Sequence, residues 1–127
     1  MSDNLAAARN VLEQLGMPKA QRNERSGYTL LALLDLRPDQ PWTDVSNPAM
    51  GVRPIMDWMA KHYGKMYAEN SRESVRRFTL HQFIQAGLVI QNPDEAVAVN
   101  SSKNVYQVPA ELLSVLRTYD TAEWANS

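Results

Sequence analysis

Arg72, Glu73, Ser74, Arg76, Arg77 and His81 lie within one ten-residue stretch, directly preceded by Asn70 and Ser71. Side chains of these types read nucleic-acid base edges: an Arg fork matches guanine, Gln pairs with adenine, and Ser and Glu offer single donating or accepting groups. Projected at about 100° per residue, Glu73, Ser74, Arg77, His81 and Gln85 share one side of a helix, with Val75, Thr79, Phe83 and Ala86 on the other. Arg72 sits in the first turn, where backbone N–H groups point outward, within reach of a base or a phosphate. Arg76 falls beside Leu80 at the boundary, so its stem packs and its head is placed for a phosphate. A helix that merely turns a charged face to water has the same composition, and that alternative stays open at this point.

Other chemistry is poorly supplied. The chain has no cysteine, which removes disulfides, thiolate ligands and thiol nucleophiles, and suits a reducing cytoplasm. Metal-dependent hydrolysis of phosphodiesters needs acidic ligands with a nearby lysine, typically an acid-x-Lys pair. Pro93-Asp94 imitates its beginning, yet no Asp-x-Lys or Glu-x-Lys occurs. His62 and His81 lack the spacing of metal ligands, and the six methionines suit core filling. No catalytic residue, metal ligand or cofactor is therefore assigned to this chain.

The net charge of −1 excludes a protein that coats nucleic acid uniformly, which needs a large positive field. The charge is nevertheless uneven. Between Trp58 and Pro93 five cations (Lys61, Lys65, Arg72, Arg76, Arg77) face two anions (Glu69, Glu73), so a local basic face is expected there.

The elements that must position this face follow from periodicity. Leu5, Ala8, Val11, Leu12 and Leu15 define a first helix over Asn4–Leu15, stopped by Gly16 and Pro18. A second helix is expected from about Ala20 to Asp35, apolar nearly all round in its later half, with Gly27 allowing a close crossing. Arg37 to Pro41 reads as a loop and Trp42 to Gly51 as irregular. Pro54 opens a third helix carrying Ile55, Met56, Met59 and Tyr63, with Gly64 as terminator. Asn70 and Glu73 form an Asn-x-x-Glu variant of the capping box, starting a fourth helix that runs to Ala86 before Gly87. Leu88–Ile90 and Val105–Val108 are expected as the strands of a hairpin whose long loop holds Ser101 and Lys103 as phosphate donors. Pro109 opens a last helix with Leu112, Leu113 and Leu116.

The expected fold is mainly α: a winged helix-turn-helix, in which a helical bundle carries a two-stranded β-hairpin wing. One domain over residues 1–120 is expected, with 121–127 as a tail or the start of a linker. No segment approaches the roughly 18 apolar residues that span a bilayer, and no targeting signal is apparent, so a cytoplasmic protein without membrane contact is expected.

The run Asn70-Ser71-Arg72-Glu73-Ser74-Val75-Arg76-Arg77-Phe78-Thr79-Leu80-His81-Gln82-Phe83 resembles the BsuBI/PstI restriction endonucleases, where an N-S/T-R-E-x-x-R-R-x-T-L-H-Q-F pattern occurs. Gln21, Asn23-Glu24-Arg25-Ser26-Gly27-Tyr28, Leu30, Leu31 and Leu33, then Trp42, Tyr63-Gly64, Asn92, Asn100-Ser101 and Tyr106, are similar in kind and order, so the resemblance covers about Leu12 to Tyr119. It implies the family's N-terminal winged-helix region, which precedes a nuclease domain of the PD-(D/E)xK type that cuts duplex DNA with Mg²⁺. Double-stranded DNA is the implied partner, and the full-length enzyme is expected to pair as a homodimer. Since the sequence stops at Ser127, where that nuclease domain is expected to begin, this polypeptide is expected to bind DNA and not to cut it. A stand-alone winged-helix regulator and a protein-interaction scaffold are the competing readings.

Overall fold

The computed structural model describes residues 4–92 and 104–119. α1 (Asn4–Gln14) buries Ala8, Val11 and Leu12 completely, at the spacing of one helical face. It ends at Gly16, whose φ of +88° is open to glycine without a Cβ clash. The Met17 N–H closes the end on the Leu12 carbonyl at 3.0 Å.

α2 (Glu24–Leu33) starts later than the expected Ala20. Lys19–Gln21 forms a separate 3-10 turn, and the extended Asn23 is the cap, its side-chain oxygen accepting from the Ser26 N–H at 2.9 Å. Leu30, Leu31, Ala32 and Leu33 are all buried, making α2 the central helix. α1 crosses it at Gly27, where a Cβ would lie 2.7 Å from Leu5 Cδ1 and 3.2 Å from Arg9 Cγ. The close crossing expected from that glycine is present.

The stretch after α2 is irregular apart from a 3-10 turn at Trp42–Asp44, held by the Trp42 ring against Tyr119 at 5.0 Å. α3 (Val52–Tyr63) buries Ile55, Met56, Trp58 and Met59 and stops at left-handed Gly64. Two hydrogen bonds pin it to the end of α2: the Trp58 ring N–H donates to Asp35 Oδ1 at 2.7 Å, and the Tyr63 hydroxyl to the Leu36 carbonyl at 2.9 Å.

The expected fourth helix is a composite. A 3-10 turn at Glu69–Ser71 leads into α4 (Arg72–Val75), a π segment (Arg76–Leu80) and α5 (His81–Gln85). In the π segment the His81 N–H reaches back five residues to the Arg76 carbonyl, a wide turn of the kind found at functional positions. Val75, Thr79, Leu80 and Phe83 are fully buried. Ala86, expected among them, is exposed because the helix has ended there in its cap residue. Left-handed Gly87 then turns the chain so that the Leu88 N–H meets the Phe83 carbonyl at 2.9 Å.

This use of Leu88 shortens the hairpin. Leu88 and Val89 are buried in succession instead of alternating, so the strand expected from Leu88 begins only at Ile90. β1 (Ile90–Gln91) pairs antiparallel with β2 (Tyr106–Gln107), with Ile90 opposite Gln107 and Gln91 opposite Tyr106. Buried Tyr106 also exchanges backbone hydrogen bonds of 2.8 and 2.9 Å with Met50, so β2 is flanked on both sides. α6 (Ala110–Leu116) returns Leu113 and Leu116 to a single core that runs from Ala8 to Leu116. The architecture is the expected mainly helical one with a two-stranded wing. The wing loop with Ser101 and Lys103, and the tail 121–127, lie outside the described residues. Among the described residues no helix is long and apolar enough to cross a membrane.

Candidate nucleic-acid interface

The recognition-type side chains start from the turn at Glu69–Ser71, and here the expected capping box is absent. Asn70 lies inside the 3-10 turn, whereas a cap residue must be extended to aim its side chain at the next free N–H groups. The extended residue is Ala68, which has no side-chain acceptor, and Ser71 enters α4 already in helical conformation without capping it. Glu73 is thereby free of any capping role and turns to cations on its own helix instead.

Glu73 Oε2 accepts from Arg76 Nη2 at 2.6 Å, and Glu73 Oε1 lies 3.6 Å from Arg77 Nη2. The Arg76 hydrogen bond, with the charges of Arg76, Arg77 and His81, holds the Glu73 carboxyl below its ordinary range, against the opposing effect of desolvation. The same bond raises Arg76 further above its ordinary value. Glu69 makes an equivalent bridge between elements, pairing with Arg72 at 3.3 Å and with Arg53 from the first turn of α3. Arg53, Glu69, Arg72, Glu73, Arg76 and Tyr106 line a groove of about 420 Å³ between the start of α3, the start of α4 and the base of the hairpin.

Beyond the groove, Glu73, Arg77, His81 and Gln85 form the exposed face expected from the sequence, with Ser74 half-buried beside them. The Arg77 side chain is 66% exposed and that of Arg76 only 32%, so Arg77 projects outward while the Arg76 stem packs. Asn70 and Arg72 are exposed at the leading end and Ser71 is half-buried. The structure therefore brings together Asn70, Ser71, Arg72, Glu73, Ser74, Arg76, Arg77 and His81, and leaves Ser101 and Lys103 outside the described residues.

Three residues escaped the sequence reading. Arg53 is separated from Glu69 by 16 positions, so no local spacing signals their pairing. Phe78 is 50% exposed on the π segment, an apolar ring at the surface beside Arg77 to which the sequence reading assigns no role. Arg25, in the first turn of α2, donates from Nε to Thr79 Oγ1 at 2.9 Å and so ties the central helix to the π segment.

The order of elements here, α3, a turn, the 72–85 run and a hairpin, is that of a winged helix-turn-helix. A family model for the BsuBI/PstI restriction endonuclease HTH domain matches residues 2–127. The chain belongs to this family. It is 45% identical over 126 residues to the type II restriction enzyme BsuBI of Bacillus subtilis, which covers 98% of this chain and 40% of that protein. It is 31% identical over 117 residues to the type II restriction enzyme AplI of Arthrospira platensis, covering 92% of this chain and 36% of the relative. The structure of the SdaI restriction endonuclease matches with a TM-score of 0.92 at 37% identity, over 96% of this chain and 39% of that one. The chain thus spans about two fifths of the curated relatives it matches. For a BsuBI/PstI HTH domain the exposed Arg77 face and the arginine-lined groove are adjacent parts of one surface, joined through Glu73. The donor set for the Mg²⁺ of a nuclease is a different matter: among the described residues no three His, Cys, Asp or Glu side chains converge to hold a metal. These residues do not fit that ion, and no hydrolytic step is assigned to this BsuBI/PstI HTH domain.

Proposed function

We propose that this chain is the DNA-recognition domain of a type II restriction enzyme and that it binds duplex DNA sequence-specifically. The observation that carries the proposal is the exposed row Arg77, His81 and Gln85 on the helical run that follows α3, in a domain of the restriction endonuclease HTH family. Placed in the major groove, Arg77 suits a bidentate contact with guanine and Gln85 with adenine. Arg72 and Arg76, nearer the groove beside the hairpin, suit phosphates, as do Asn70, Ser71 and, from the wing loop, Ser101 and Lys103. Ser74 and His81 add single hydrogen bonds at base edges. The complete enzyme is a Mg²⁺-dependent site-specific deoxyribonuclease acting in the cytoplasm, as a homodimer whose two-fold axis matches a palindromic site.

The test is a binding titration of the chain on labelled duplex DNA across a range of salt. Dissociation constants of roughly 10⁻⁴–10⁻⁶ M on arbitrary sequence, falling steeply in affinity as salt rises, are expected. Binding that ignores salt, or none even at low salt, sinks the proposal and favours a protein partner for the same face.

A further inference from the structure

Glu69 and Glu73 each hold two arginines. Glu69 pairs with Arg53 and Arg72, and Glu73 with Arg76 and Arg77. Four cations of the kind that a phosphate or a guanine edge attracts are thus already matched to carboxylates. Three of them, Arg53, Arg72 and Arg76, line one groove. The two carboxylate side chains are 63% and 51% exposed, so each pair is screened by water and weak. A guanidinium fork donates to carboxylate and phosphate oxygens in the same planar geometry, which lets one replace the other without rebuilding the side chain.

Resting on the DNA-recognition function above, we propose that Glu69 and Glu73 restrain non-specific binding: they occupy Arg53, Arg72, Arg76 and Arg77 as internal substitutes for DNA anions. A duplex must displace them to bind. Attraction to the phosphate backbone is common to all sequences, and the two carboxylates offset it on every sequence. A cognate site adds base-edge contacts that exceed the loss, so at a given protein concentration it stays occupied while sequences without those contacts fall below the threshold for binding. The same arrangement makes Arg53 a DNA contact supplied by α3 and not by the 72–85 run.

The variants Glu69→Gln and Glu73→Gln test this, with Glu13→Gln as the control. Glu13 pairs with Arg22 at 3.2 Å in a separate cluster with Arg9 and Lys19, so its loss changes the net charge equally but frees no arginine of the groove. Each protein is titrated with a scrambled duplex and with a duplex obtained by selection on the wild-type chain, over a range of salt, after its thermal midpoint shows that it is folded. Both groove variants are expected to bind the scrambled duplex roughly five- to tenfold more tightly, with a salt slope steeper by about one unit. Glu13→Gln stays within about twofold of wild type, and adding Arg53→Ala to Glu69→Gln removes the gain. Unchanged scrambled affinity in both groove variants, an equal gain in Glu13→Gln, or a loss confined to the selected duplex, which marks a direct base contact by glutamate, each overturns the inference. A wild-type chain that binds no duplex at low salt defeats the DNA function itself and this inference with it. Salt-dependent wild-type binding beside groove variants that behave like wild type defeats this inference alone.

Discussion

Arg25 Nε donates to Thr79 Oγ1 at 2.9 Å, joining the first turn of the central helix α2 to the π segment that carries Arg77 two positions earlier. Thr79 is fully buried, so this hydrogen bond fixes the height and rotation of the exposed face. Thr79→Val keeps the volume and deletes the acceptor, leaving a part-buried guanidinium unpaired. A loss of about 1–3 kcal/mol in stability is expected, read as a lower urea midpoint with an unchanged m-value. A midpoint equal to wild type means that the bond does not anchor the segment.

The α1–α2 crossing sets a size limit at Gly27. Alanine there meets the flexible end of Leu5 at 2.7 Å and Arg9 Cγ at 3.2 Å, a strain offset by the roughly 1 kcal/mol that Ala gains over Gly inside a helix. Gly27→Ala is therefore expected within about 1 kcal/mol of wild type, whereas Gly27→Leu overpacks the crossing and costs more than about 2 kcal/mol. Thermal unfolding of the two variants measures the difference, and equal midpoints would show that the helices are not in close contact.

His62 lies against Trp58 at 5.0 Å between ring centroids. Desolvation, then the charges of Arg37 and Lys61, lower its pKa from the ordinary 6.5, with Asp35 opposing. With the folded value below the unfolded one, the unfolded chain binds the extra proton first. Stability is then expected to fall as pH drops through about 6.5 and to level off below the lowered folded value. Urea midpoints of wild type and His62→Gln between neutral and mildly acidic pH check this; a slope that persists in the variant assigns it to another group.

Arg77→Ala and Lys103→Ala are expected to differ in kind. Arg77 projects from the exposed face, and the guanine contact proposed for it predicts a loss of about 1–3 kcal/mol of discrimination in the variant. Lys103 lies outside the described residues; the sequence expectation of a phosphate donor in the hairpin loop predicts that its loss lowers the salt slope by about one unit and leaves preference intact. Salt titrations of both variants against a selected and a scrambled duplex decide the matter. Equal loss for Arg77→Ala on both duplexes reassigns it to a phosphate and moves base reading to Arg72 and Ser74.

Supercoiled plasmid incubated with this chain and Mg²⁺ is expected to stay intact, since no acid-x-Lys pair exists in the sequence and no metal donor set converges among the described residues. Nicking that survives purification and disappears on mutation of a carboxylate such as Asp94 is the contrary result.

The sequence by itself determined whatever depends on near neighbours along the chain. The helical faces of α1 and α3, the stops at Gly16, Gly64 and Gly87, the order of helices before hairpin, and the exposed row Glu73, Arg77, His81 and Gln85 all follow from spacings of three or four residues or from one backbone angle. The run Asn70–Phe83, together with the similar positions on both sides of it between Leu12 and Tyr119, also carries the resemblance to the family to which the chain belongs. Its local chemistry misled in one place. The Asn70–Glu73 spacing is that of a capping box, but Asn70 lies inside the 3-10 turn Glu69–Ser71 rather than in the extended conformation of a cap, and Glu73 pairs with arginines in place of backbone N–H groups.

Only the tertiary structure decided the rest. The joining of Arg53 to Glu69, of Arg25 to Thr79, and of Met50 to Tyr106 spans 16, 54 and 56 positions, and each depends on how α2, α3 and the hairpin meet around the shared core. The strand expected from Leu88 is shortened for the same reason: Leu88 closes the preceding helix on Phe83 and is buried beside Val89, so only Ile90 of that apolar run enters the strand. Side-chain periodicity encodes which face of an element is buried. It does not encode which other element covers that face, and the charge network of the groove is a product of that second choice.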